Sequence, residues 1–102
     1  MTVEIIGKWQ QPADQPYPGL WFQFNVDGTF TAEYQEMGIV SSGTYQVSEN
    51  EIEMDQTTHT FGIIGKFKGK LEIHNDTLRM SLGNPGEDAP TAPEKFRVYT
   101  RI

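Results

Sequence analysis

The chain has 102 residues, of which 36% are apolar and 22% charged, with 8 Lys plus Arg against 14 Asp plus Glu and a net charge of −6. That length is one ordinary domain, expected to span residues 1–102, and the acidic balance speaks against a nucleic-acid backbone as partner, which needs clustered cations. There is no cysteine, so disulfides, thiol nucleophiles and Cys-ligated metals are excluded, and no apolar run reaches the roughly 20 residues of a membrane span.

The predicted elements are short alternating segments separated by turn residues. A first strand covers Glu4 to Gln10 and carries Gly7-Lys8-Trp9. Gln11 to Gly19 follows, with Pro12, Pro16 and Pro18. Prolines this dense prevent both a helix and a paired strand, so the segment reads as an ordered loop or flap. Leu20 to Val26 and Thr29 to Glu36 flank Asp27-Gly28, the pattern of a hairpin with a type I′ turn. Phe22, Phe24 and Val26 would share one face, with Phe30, Ala32 and Tyr34 beside them. Trp21 falls on the opposite face, next to a loop that contains Tyr17. The closest helical candidate is a single turn, in the Pro-rich loop or around Glu33 to Gly38.

Two later segments repeat one pattern at a constant offset of 26 residues, Gly43 to Met54 and Gly69 to Met80. Each reads as a hairpin, with Tyr45, Val47, Ile52 and Met54 inward in the first. Leu71, Ile73, Leu78 and Met80 are their counterparts. Convergent hairpin patterning accounts for this more simply than a duplicated binding unit. Between them, Thr60 to Phe67 is predicted as a further strand, with Gly62 and Gly65 marking a bend. Leu82 leads into a Gly/Pro loop ending at Pro93. A last strand runs from about Lys95 to Ile102, alternating Phe96, Val98, Thr100 and Ile102 against Lys95, Arg97, Tyr99 and Arg101. Phe22, Phe24, Phe30, Tyr34, Phe61 and Phe96 are the simplest aromatic core.

About eight short strands at this spacing, joined by sequential hairpins, predict an all-β, antiparallel up-and-down meander that closes into a barrel. Eight strands leave an interior that is filled by side chains or holds one small ligand.

Gly7-x-Trp9 on the first strand, with a basic residue on the last, resembles the signature of the lipocalins, the calycin type of barrel. The resemblance implies that Trp9 closes one barrel end and that Arg97 or Arg101 packs across its indole. Asp76-x-Leu78, then Leu82-Gly83-x-Pro85-Gly86-x-x-x-Pro90 and Phe96, is similar to a group of small bacterial lipocalin-like proteins. In that pattern an Arg usually precedes the second Pro, where this chain has Ala89, so no role of that Arg transfers. The group brings no catalytic residues with it.

Chemistry beyond this is sparse. His59 and His74 lie 15 residues apart, without the spacing of a metal site, and read as surface residues. No cofactor is expected. Glu49, Glu51, Glu53 and Asp55 alternate, which predicts one outward acidic face and not a convergent Ca²⁺ loop. Glu87 and Asp88 have nothing in the sequence to bury them as an acid–base pair. No nucleophile elbow or phosphate loop is present, so no enzymatic activity is expected.

Two functions of different class follow. The first is a binding module for a small apolar or amphipathic molecule at the barrel mouth, with Tyr17, Trp21, Tyr34, Phe61 and Ile63 as the pocket. The second is a protein-interaction module with a filled barrel, acting through an outer patch of Trp21 and Tyr17. A filled interior would count against the first, and a cavity of several hundred Å³ would support it. The absence of a targeting segment and of cysteine, with the acidic balance, leads to the bacterial cytoplasm as the expected compartment.

Overall fold

A computed structural model describes residues 5–83, 86 and 96–102. Among them are eight strands: β1 (Gly7–Gln10), β2 (Trp21–Phe24), β3 (Thr29–Tyr34), β4 (Ile39–Ser48), β5 (Glu51–His59), β6 (Gly65–His74), β7 (Thr77–Leu82) and β8 (Arg97–Arg101). All neighbours pair antiparallel in chain order, and β8 pairs with β1 to close the barrel. Closure rests on two register positions, Trp9 opposite Arg101 and Gln10 opposite Thr100. A closed barrel leaves no free sheet edge for a second chain to extend.

Alternation places Phe22, Phe24, Phe30, Ala32, Tyr45, Ile52, Met54, Leu71, Leu78 and Met80 inside, all buried, while Val47 and Ile73 are partly buried against them. Stacked and edge-to-face contacts join the rings, with Phe24 and Tyr45 centroids 4.9 Å apart and Phe22 and Tyr99 5.8 Å apart. Such geometry follows from the ring quadrupole.

Gly43 and Gly69, which open the two similar hairpins, have one steric job. A Cβ on Gly43 would lie 1.9 Å from the Asp55 carbonyl oxygen, and one on Gly69 would lie 1.9 Å from that of Ser81. At both positions only hydrogen lets adjacent backbones approach this closely. Beside Gly43 the β4–β5 register shifts, the device that bends a sheet into a barrel.

Several local expectations are corrected. The β2–β3 turn is centred on Val26-Asp27 and not on Asp27-Gly28. Gly28 N–H donates to Asn25 O (3.1 Å), and of the residues in this turn Gly28 alone has positive φ, at 87°. Val26 therefore sits at the tip, 84% exposed. The Asp27 carboxylate accepts from Thr29 Oγ1 (2.6 Å) and Thr29 N–H (3.0 Å), which holds its pKa below the usual value. The segment predicted as a strand over 60–67 is a loop through Ile64, and β6 begins only at Gly65. Phe61 is exposed, not core. In β8 the buried parity is that of Tyr99, so Phe96 is only half-buried, with the Arg79 guanidinium 5.2 Å from its ring centroid. Gln35–Met37 forms a single 3-10 turn closed by Gly38 at φ 65°, the second of the two places expected for one. Leu82 ends β7 and Gly83 begins the Gly/Pro loop, but Pro85, Glu87, Asp88, Ala89, Pro90, Pro93 and Lys95, with Glu4, lie outside the described residues.

The acidic face is half of a ladder. Glu49 lies in the β4–β5 turn at φ 56°. Glu51, Glu53 and Asp55 stand opposite Lys70, Lys68 and Lys66 of β6. Lys70 Nζ donates to Glu51 Oε1 (2.8 Å), which lowers the Glu51 pKa. Opposite charges on facing positions favour this register over its neighbours.

Candidate functional site

The barrel has two unlike ends. At one, here called the base, the connections are tight: Asn25–Gly28, Glu49-Asn50 and Asn75-Asp76. Trp9 lies here, fully buried, its indole N–H donating to Ile5 O (2.8 Å). The Arg101 guanidinium carbon is 4.1 Å from the Trp9 ring centroid, and Arg101 also donates to Ile6 O (2.9 Å) and Asp76 Oδ1 (3.3 Å). The choice between Arg97 and Arg101 as indole partner thus falls to Arg101. Gly7 faces this contact at φ 134°, where a Cβ would come within 2.8 Å of Arg101 Nη1.

At the other end, the mouth, lie the β1–β2 connection over 11–20, the 3-10 turn between β3 and β4 and the β5–β6 connection over 60–64. Between them opens a cavity of about 370 Å³. Its inner wall is Leu20, Phe22, Ala32, Met54, Phe67 and Leu82. Its rim is Tyr17, Tyr34, Met37, Ile39 and Ile63. Polar groups are few: Glu33, Ser41, Gln56 and His59. A mostly apolar concavity with a handful of polar groups is the usual form of a small-molecule site.

The Pro-rich loop is ordered and helps hold the mouth. Buried Gln11 accepts the Tyr17 N–H on Oε1 (3.0 Å), and Gln15 Oε1 accepts Val98 N–H (2.8 Å). The Gln11 amide nitrogen has no hydrogen-bond partner among the described residues. Tyr17 meets Tyr34 edge-on with centroids 6.0 Å apart. Tyr34 donates to Glu36 Oε2 (2.8 Å), which raises its pKa. Across the mouth, Thr60 N–H donates to Val40 O (3.0 Å) and Gln56 Nε2 donates to Ile63 O, so the 60–64 loop is pinned to β4 and β5. His59 Nδ1 accepts Phe61 N–H (3.0 Å). An acceptor Nδ1 places the neutral ring's proton on Nε2.

Of the five residues expected to form the pocket, Tyr17, Tyr34 and Ile63 line the cavity. Trp21 and Phe61 do not. Trp21 lies on the outer face of β2, with Lys8 Nζ 4.1 Å from its ring centroid. Phe61 points to solvent beside Ile64 and Val40, all three at least half exposed. His59 lines the cavity in place of the surface position expected for it, whereas His74 sits at the base end of β6 and is exposed. Sequence reasoning missed Ser41, Gln56, His59, Met54, Phe67 and Leu82. The inward parity of Tyr45 runs back through Gly43 to Ser41, and that signal was available.

A second cleft lies at the base, where Ile5, Val47, Leu71 and Ile73 meet Glu49, Asn50 and Glu72. Among the described residues no group of His, Asp and Glu is arranged to hold a metal ion, and no helix is long and apolar enough to cross a membrane. Comparison of the chain with protein-family models, with curated proteins and with solved structures finds no match.

Proposed function

We propose that this chain is a small, non-enzymatic, lipocalin-like binding module that holds an apolar or amphipathic molecule in the barrel mouth. The observation that carries the reading is the 370 Å³ cavity, open between the loops and walled by apolar side chains. A packed interior rarely leaves such a space without use, since voids larger than a water are few in a domain. The up-and-down closed barrel and the Gly7-x-Trp9 pair with Arg101 over the indole support the lipocalin-like kinship.

Native mass spectrometry of freshly purified protein tests it, beside an Ala32→Leu variant that fills part of the cavity. The expected result is a mass excess that disappears on denaturation and is reduced in the variant. A bare chain that also fails to take up the neutral fluorophore N-phenylnaphthylamine would overturn the reading. A second reading, an accessory module working through its outer surface, is favoured by the exposed Val40, Phe61 and Ile64 beside the mouth. A bare, stable dimer would support that one instead.

A further inference from the structure

We propose that the molecule held at the mouth is uncharged and presents a single hydrogen-bond-accepting oxygen, of the carbonyl class, to Ser41 and His59. This deepens the binding-module reading and rests on it.

Ser41 lies on β4 in the cavity wall and is only 5% exposed. His59 stands directly opposite on β5, as the Cα partner of Ser41. Facing residues of an antiparallel pair have Cβ atoms about 4.5–5.5 Å apart. Because His59 Nδ1 already accepts from Phe61, its remaining ring nitrogen is a donor. Two donors on one small patch of apolar wall match the two lone pairs of one carbonyl oxygen. The Gln56 amide nitrogen donates to the Ile63 carbonyl on the 60–64 loop.

Charge separates this ligand from its neighbours in chemical space. No Lys or Arg is among the described residues that line the cavity, whereas Glu33 is. Arg97 donates to the Phe96 carbonyl and does not line the cavity. A carboxylate would enter without a cation to meet it, which is costly in an apolar site. An ammonium would meet Glu33 and the Ser41 lone pairs but leave the His59 N–H without an acceptor. The volume sets the size: about 370 Å³ equals roughly a dozen waters at ~30 Å³ each, so a molecule of about a dozen heavy atoms fills it.

The test measures the affinities of the full chain for four matched probes: butylbenzene, butyrophenone, phenylbutanoate and phenylbutylammonium. Backbone amide NMR shifts at the mouth report binding. We expect butyrophenone to bind about tenfold tighter than butylbenzene, the effect of one or two net hydrogen bonds, and both ions to bind more weakly than butyrophenone. Ser41→Ala and His59→Phe should each lower the ketone-to-hydrocarbon affinity ratio, and a dispersed amide spectrum of each variant reports that the fold survives. Equal binding of ketone and hydrocarbon, or tightest binding of either ion, overturns the carbonyl proposal while leaving a binding mouth. Failure of all four probes to bind overturns the binding reading itself.

Discussion

The base and the mouth are the two ends of the same eight strands, yet they are finished differently. At the base the connections are short, and Trp9 is sealed under Arg101 with its indole N–H satisfied. At the mouth the connections over 11–20 and 60–64 are longer, and Met37, Phe61, Ile63 and Ile64 are at least half exposed. The base uses its apolar side chains to exclude water from the interior. The mouth arranges them as a wall and a rim around a space. Stability is therefore concentrated toward one end, and the capacity to bind toward the other, as expected when a rigid scaffold carries functional loops.

The contrast is sharpest in large truncations. Trp9→Ala should cost about 3–5 kcal/mol, since it empties a fully buried indole volume. Ile63→Ala, at the half-exposed rim, should stay within about 0.5 kcal/mol. Urea denaturation of both variants checks this, and equal losses would break the comparison.

The two glycines of the similar hairpins come next. Gly43→Ala and Gly69→Ala each force a methyl against a backbone oxygen and should cost about 1–3 kcal/mol by overpacking. Gly38→Ala at the mouth meets no atom within 4 Å, and its strain comes only from φ 65°. Thermal unfolding of the three variants separates close approach from backbone strain.

Tyr99 ties the two ends together, because Phe22 packs edge-on against it and also lines the cavity. Burial is the main cause that pushes the Tyr99 pKa from 10.0 up to about 12, against a smaller opposing effect of Gln11. A raised folded-state value favours the protonated native form. Its contribution to stability is complete below pH 10 and is lost as pH rises through about 12. The alkaline loss should be about 2 kcal/mol from this group by that pH. Tyr99→Phe should flatten the stability curve between those limits, and an unchanged alkaline slope would contradict the assignment.

A smaller effect than at Tyr99 is expected at Arg101. Arg101→Lys keeps the charge but loses the planar group over Trp9, at a cost of about 1 kcal/mol. A double-mutant cycle with Trp9→Phe should show coupling between the two positions.

How far the residues announced this structure depends on parity. Wherever strict alternation held, the inward set could be read directly, as with Tyr45, Ile52 and Met54 or Leu71, Leu78 and Met80. Gly7-x-Trp9 was equally legible, though the spacing alone left Arg97 and Arg101 open. Parity failed at irregularities. The register shift beside Gly43 leaves Ser41 facing His59, so His59 lines the cavity where simple counting from Met54 and Gln56 would turn it outward. Ile63 and Ile64 resemble a strand core, but Gly62 at φ 77° takes the chain out of the sheet. Asp27-Gly28 resembles a type I′ turn, but Asp27 binds the Thr29 hydroxyl and amide instead. The mouth was read less well than the base for this reason: its side chains are placed by bulges and loops, whose geometry is set by contacts distant in sequence.

The most direct test of the division between the ends is an amide NMR titration of the whole chain with butylbenzene. Saturable shifts are expected at Leu20, Ala32, Ser41, Met54 and Leu82, with Trp9 and Leu78 unmoved. Shifts confined to Ile5, Val47, Leu71 and Ile73, or none that saturate, would place the binding surface elsewhere and contradict it.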